Sequence, residues 1–341
     1  MAYGKIHVLL GFIGLFTAGC VPPYPSPPSN EVIHVIFDDD GSPDGTTALA
    51  YLIADPAVWV DAAVITHGEA HPQVYIQHIG RLLESFGVTD VPLGAGSDTA
   101  LEPAEEFPEW VRDASDDFWG LPIPLADHTY PVIDGAQLII TSLNASPEPL
   151  RVFVSGACTD LAQALRLDPG IAAKIAAVYL MGGAVYVPGN LSDLLPNPTN
   201  TVAEWNIYSD PVAAAEVFDS GIPIYVVPLD ATNQVSVTML DTAQWRAGGV
   251  FGAFAADMYD MLLGYSDTST MDIWDILTAE IMVHPELCSF EPIHLDVITA
   301  PGDTMGQTRV DPNAAPNVHV CLHPDVTAAL RTLVDAFDTT P

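Results

Sequence analysis

The sequence predicts an α/β protein built on a single open, mostly parallel, Rossmann-like sheet with helices on both faces. Three observations predict it. Short β-branched apolar runs recur along the chain, and segments with helical spacing separate them. The clusters of acidic, glycine and amide residues fall just after the apolar runs. Alternating strands and helices supply the crossovers that parallel strands require. In such sheets ligands bind beyond the carboxyl ends of the strands, so the residues following each strand are the ones to read for chemistry.

Residues 31–37, EVIHVIF, form a buried strand that runs into an acidic cluster, and a helix starts within 46–53. Residues 60–66 are a second strand. Residues 72–86 have helical spacing, with Val74, Ile76, Ile79, Leu82 and Leu83 apolar. Residues 91–93 form a short strand. Residues 102–130, rich in Trp, Pro and acids, read as a long loop or lid. A helix over 135–143, a strand over 150–154 and a helix over 159–167 follow. A strand over 176–181 ends in Gly182-Gly183. Then come a helix over 211–220, a strand over 223–227 and helices around 238–263 and 274–283. Residues 293–297 and 318–322 read as a terminal hairpin. There is no internal repeat.

The first residues read differently. Lys5 precedes an apolar run over 6–16, and Thr17-Ala18-Gly19-Cys20 follows. That pattern is a secretory signal, too short to span a bilayer comfortably. Small residues before a cysteine also suit the bacterial lipoprotein box, which would make Cys20 the lipidated first residue; an ordinary signal peptide is the other reading. Residues 21–31 are a proline-rich tether. The expected organisation is therefore a signal over 1–20, the tether, and one domain over 32–341. The protein is expected to be exported, either anchored to a membrane through lipid or free outside the cytoplasm.

Nine Lys and Arg stand against 44 Asp and Glu, a net charge of −35. Such a surface repels phosphates, so nucleic acid is excluded as a partner. With Cys20 set aside, Cys158, Cys288 and Cys321 remain. An exported protein could pair two of them, and Cys288 with Cys321 is the favoured pair. No cysteine or histidine spacing suggests zinc.

The first chemical cluster is Asp38-Asp39-Asp40-Gly41-Ser42-Pro43-Asp44-Gly45. Four carboxylates within seven residues repel one another unless a cation sits among them, and such hard oxygen donors suit calcium or magnesium. A solvated acidic turn is the plainer alternative. A strand ending in Asp38-x-Asp40-Gly41 also resembles the haloacid dehalogenase phosphatases, in which the first Asp is a nucleophile. Those enzymes also need a lysine and a later acidic pair. This chain has only Lys5 and Lys174, and no strand after Lys174 ends in such a pair.

Further stretches follow the later strands: Thr66-His67-Gly68-Glu69, Ser155-Gly156-Ala157-Cys158-Thr159-Asp160, Met181-Gly182-Gly183 with Pro188-Gly189-Asn190, Ala203-Glu204-Trp205-Asn206, and Trp274-Asp275. In this order, from about Val32 to Leu287, they resemble the inosine–uridine nucleoside hydrolase family. The resemblance implies calcium-dependent hydrolysis of the N-glycosidic bond of ribonucleosides. It gives Asp40 the role of metal ligand and general base. Asp38, Ser155 through its carbonyl, and Asp275 would complete the calcium shell. Asp44, Glu69, Met181, Asn190, Glu204 and Asn206 would hold the ribose. The family's fourth acid, a calcium ligand, is Gly45 here, which leaves that job to Asp39 or to water.

A tryptophan at 274, and Asp40-Gly41 in place of Asp-Pro, resemble the purine-specific inosine–adenosine–guanosine branch. There two tryptophans stack the base; Trp274 and Trp110 are the expected pair. The resemblance further implies purine salvage by a homodimer or homotetramer. The alternative from another class is a lipoprotein that binds ribosides without cutting them.

Overall fold

The computed structural model describes residues 32–123, 128–196, 198–265 and 269–338. The expected signal, Cys20 and the tether lie outside the described residues. Within them, no helix is long and apolar enough to cross a membrane.

The elements run β1 (Ile33–Asp39), α1 (Pro43–Ala54), β2 (Val58–Ile65), α2 (Pro72–Ser85), β3 (Leu93–Ala95) and α3 (Glu109–Asp116). Next come β4 (Val132–Asp134), α4 (Gly135–Ala145), β5 (Leu150–Ser155), α5 (Thr159–Leu167) and β6 (Ile175–Met181). The chain continues through α6 (Trp205–Ser209), α7 (Pro211–Phe218), β7 (Ile224–Val227), α8 (Leu229–Thr232) and β8 (Ser236–Val237). It then forms α9 (Met239–Trp245), α10 (Gly249–Tyr265), β9 (Met271–Asp272) and α11 (Asp275–Val283). The last elements are β10 (Cys288–Ile293), β11 (Leu295–Val297), β12 (Thr308–Val310), β13 (Val318–Pro324) and α12 (Val326–Phe337).

Nine strands make the main sheet in the order β10-β13-β7-β6-β5-β1-β2-β3-β4. All neighbours are parallel except β10 with β13. The predicted open α/β sheet is what the chain forms. The first strands build outward from β1 through β2, β3 and β4, and β5 then returns to the other side of β1. The order of connection reverses there, which opens a crevice at the carboxyl ends of β1 and β5.

Alternation along β1 divides the core. Val35 and Phe37 pack with α1, α2, α10, α11 and α12 on one face, while Ile36 packs with α4, α5 and α7 on the other. Every residue of α1 is buried, so this helix is central rather than half-solvated. Ser42 caps it, its side chain accepting from the Gly45 N–H at 2.8 Å, and Pro43 begins it.

The predicted terminal hairpin is corrected. Residues 318–322 do pair antiparallel, but with β10, while 295–297 pair with β12 in a separate ribbon. The Trp-rich segment predicted as a loop holds α3. The reading missed β4 and also α12, although Asp325 caps α12 by accepting from the Ala328 N–H at 3.0 Å. Cys288 and Cys321 form a disulfide across β10 and β13, and Cys158 is free and buried.

One buried acid stands apart from the rest. Glu280, in the middle of α11, is fully buried with neither carboxylate oxygen partnered, and burial holds its carboxyl well above its ordinary value of 4.5. A raised carboxyl binds its proton more tightly in the folded than in the unfolded chain. Stability therefore falls as pH rises above the unfolded value, by roughly 1.4 kcal/mol per pH unit until the folded group ionises. Glu280→Gln removes that loss. Its melting temperature is expected to match the parent near pH 5 and to exceed it by several degrees at pH 8, as read by calorimetry at both pH values.

The disulfide closes a loop with a sequence separation of 33. Chain entropy for such a loop is worth about 3–4 kcal/mol. Cys321→Ser is expected to lower stability to urea by an amount of that order, and reductant should then have no further effect.

Candidate active site

The carboxyl end of β1 sits at the crevice with Asp39 in register against Ser155 of β5 and Ile65 of β2. The two-residue alternation sends successive acids to opposite faces. Asp38 lies on the α5 side, where the like charge acting most strongly on it is Asp160; it is fully buried and neither oxygen has a partner. Asp39 turns to the α1 side. Its carboxylate accepts from the Ser155 hydroxyl and from the Gly41 N–H, both at 2.8 Å. Gly41 then takes φ +86°, where a Cβ would lie 2.4 Å from that of Ala70, so only glycine makes this turn into α1.

Asp40, Asp44, Glu69, Ser155, Met181, Asn190, Glu204, Asn206, Trp274 and Asp275 all line one cleft of about 230 Å³. Residues from β1, α1, β5, β6, α6 and α11 thus meet at the predicted edge of the sheet. Asp40 and Asp275, 235 positions apart in sequence, share it. One Asp40 oxygen accepts from the Glu69 N–H at 3.2 Å; the other is buried without a partner.

Two clasps tie the ends of the site together. Ser42 donates to the Asp275 carboxylate at 3.0 Å. The Asp44 carboxylate accepts from the Asp275 N–H at 2.6 Å and from the Tyr259 hydroxyl. Asp44 therefore caps α11 as well as lining the cleft. Elsewhere in the lining, Glu204 accepts from the N–H groups of Gly183, Asn206 and Ile207, at 2.9, 2.8 and 3.2 Å. The Asn206 amide donates to the Met181 carbonyl at 3.2 Å, and the Asn190 side chain accepts from the Trp205 N–H at 3.1 Å.

Two expected residues are placed differently. Asp38 is absent from the cleft lining, because strand alternation buries it on the far face. Trp110 is also outside the lining and 56 % exposed, edge-on to Trp119. Trp119 takes its place in the cleft. Phe118 and Trp119 both have φ 51°, a strained backbone for side-chain-bearing residues. The Trp119 indole donates to the Ser115 hydroxyl at 3.1 Å, which donates to Glu69 at 2.8 Å. Sequence reasoning also missed Phe107, Asp193, Trp205, Leu262 and Met271 in the lining. Phe107, Trp110 and Trp119 fall in one aromatic loop with no spacing that tells them apart, and nothing in the sequence marks Asp193.

Among the described residues, no cationic side chain acts appreciably on these acids. Burial lifts Asp39 to about 7, Asp44 to about 6 and Glu69 to about 7, and lifts Asp40 and Asp275 well above the carboxylate range. The charges that add to this at Asp40 and Asp275 are other carboxylates. A buried like-charge cluster is tolerable if its members take up protons or a cation. The donors are hard oxygens, and the orphaned Asp40 oxygen is buried at the cleft. By chemistry they fit a hard divalent cation, although among the described residues no group of three His, Cys, Asp or Glu side chains is already drawn together as a metal cage.

The chain is similar to known proteins over most of its length. The family described as inosine-uridine preferring nucleoside hydrolase matches residues 35–331. The pyrimidine-specific ribonucleoside hydrolase RihA of Citrobacter koseri is 30% identical over 283 residues, covering 81% of this chain and 88% of the relative. The same-named protein of Escherichia coli O1:K1 / APEC is 29% identical over 286 residues, with the same coverage. Among solved structures, the purine-preferring ribonucleoside hydrolase from Gardnerella vaginalis superposes with a TM-score of 0.78 at 26% identity, over 89% of this chain and 98% of that one. The inosine-uridine preferring nucleoside hydrolase from Bacillus anthracis shares the fold, with a TM-score of 0.75 at 23% identity, over 91% of this chain and all of the other. With the family matched across nearly all the described residues, the chain belongs to the inosine-uridine preferring nucleoside hydrolases, enzymes that act on N-glycosyl compounds.

Proposed function

We propose that the protein is an exported, calcium-dependent ribonucleoside hydrolase that releases ribose and a free base, with a preference for purines. The observation that carries the reading is the shared cleft, whose lining brings the half-partnered Asp40 carboxylate and Asp275 together with the polar side chains of Asn190, Glu204 and Asn206.

Asp40, Asp275 and the Ser155 carbonyl are the residues that would hold calcium; when bound, the ion neutralises the acids and lowers the pKa of a water. The free oxygen of Asp40 is placed to take the proton of the water that attacks the anomeric carbon. The new carbon–oxygen bond forms as the carbon–nitrogen bond to the base breaks. Asn190, Glu204 and Asn206 hold ribose hydroxyls, with Asp44 and Glu69 beneath. The ionised acids of the floor stabilise the positive charge that develops on the sugar.

Trp119 and Trp274 present two indoles to the same cleft. Flat indole faces suit the larger purine ring best, which supports the purine preference against that named for the RihA relatives. Export is supported by the Cys288–Cys321 disulfide, since such bonds persist in oxidising compartments. The lipid anchor at Cys20 and a homodimer or homotetramer complete the proposal.

Asp40→Asn keeps the shape but not the base. It is expected to lower kcat on the order of 10²–10⁴-fold, measured by free-base release with calcium in excess. Release at the parental rate would remove Asp40 from the mechanism; no release from any ribonucleoside by the parent would leave the riboside-binding reading. Trp119→Ala is expected to lower kcat/KM for inosine about tenfold, with a smaller loss for uridine. Equal losses, or a parental preference for uridine, would sink the purine assignment.

A further inference from the structure

We propose that Asp39, from the end of β1, supplies a carboxylate oxygen to the divalent cation, occupying the space into which a side chain at position 45 would otherwise project. The proposal rests on the metal-dependent reading above and names a ligand which that reading does not assign.

The geometry is specific. A Cβ built on Gly45 would lie 1.7 Å from Asp39 Oδ2, 2.5 Å from its Cγ and 2.9 Å from its Oδ1. The whole carboxylate therefore fills the place of a residue-45 side chain, and only glycine at 45 is compatible with it. Two donors fix the group, Ser155 Oγ and the Gly41 N–H. A carboxylate has about four acceptor sites, so these two bonds leave capacity for a further partner. Its charge acts on both Asp40 and Asp275. A separate observation points to a ligand nearby: Asp40, on which the charge of Asp39 acts, is only 2 % exposed and its Oδ1 is unpartnered. Two aspartates adjacent in sequence thus leave β1 with acceptor capacity unspent, and no cationic side chain answers them.

A purely structural Asp39 would be replaced at little cost by an amide of the same shape, its oxygen accepting from the Gly41 N–H and its NH2 donating to Ser155 Oγ in place of the present Ser155-to-Asp39 bond. A ligand would not. Full-length parent, Asp39→Asn and the double variant Asp39→Ala/Gly45→Asp are to be titrated with calcium by calorimetry, and with terbium by luminescence. Melting temperatures in chelator report folding. The parent is expected to bind one calcium. Asp39→Asn should bind it about 10–100-fold more weakly at an unchanged melting temperature, and the double variant should recover most of that loss by delivering a carboxylate from the helix instead. Parental affinity in Asp39→Asn overturns the proposal while leaving the metal reading intact. Absence of binding in the parent, by contrast, removes the metal reading and this ligand with it. Should Asp39→Asn not fold, a lanthanide-soaked crystal of the parent decides. An Asp39 oxygen within about 2.3–2.6 Å of the ion supports the assignment, and an ion seated without Asp39 overturns it.

Discussion

The mutual repulsion of acids buried at the carboxyl end of β1 is the constraint around which this molecule is arranged. Asp38, Asp39, Asp40, Asp44 and Asp275 are all nearly sealed from solvent. Ionised together without a counter-charge they would cost several kcal/mol each. The fold distributes them instead. Strand alternation sends Asp38 to one face and Asp39 to the other, hydroxyls and main-chain N–H groups fix Asp39 and Asp44, and one oxygen of Asp40 is left buried without a partner. An enzyme that must stabilise positive charge on a sugar needs such a concentration of negative charge in a dry site. The destabilisation and the catalytic potential are the same electrostatic fact.

Much of this was legible in the sequence, because a parallel sheet writes its strands as unbroken apolar runs and its ligands as whatever follows them. The β-branched run before Asp38 and the Val152 run before Ser155 were legible as strands, while their place side by side at the centre of the sheet is shown only by the structure. Asn190, Glu204 and Asn206 were legible only through the resemblance to the family, since none of them directly follows a strand. The tryptophans were not. Trp110 and Trp119 lie nine residues apart in one acidic, aromatic segment, and which of them faces inward depends on the left-handed backbone at Phe118 and Trp119. No periodicity records that. The side of the sheet taken by Asp38 was legible in principle: the strand's period of two gives it, once β1 is seen to run on to Asp39 rather than stop at Phe37.

The extreme net charge has a modest part in the chemistry. Most acids outside the cleft are solvated, and some are paired, such as Glu216 with Arg166 and Asp257 and Asp260 with Arg246. Exposed pairs of this sort contribute little to stability. A net charge of −35 does set up a negative field around the molecule, which repels other anions at low ionic strength.

The bonds from Asp44 and Ser42 to Asp275 span more than 230 residues of sequence. Closing so long a loop is entropically slow, and the contact is rewarded only when both ends are in place. During synthesis the floor of the site must therefore wait, unfinished, until α11 has emerged. A chain interrupted anywhere before that helix could assemble most of the sheet and still lack the Asp275 part of the cleft, so a finished cleft is a late certificate that synthesis has passed α11.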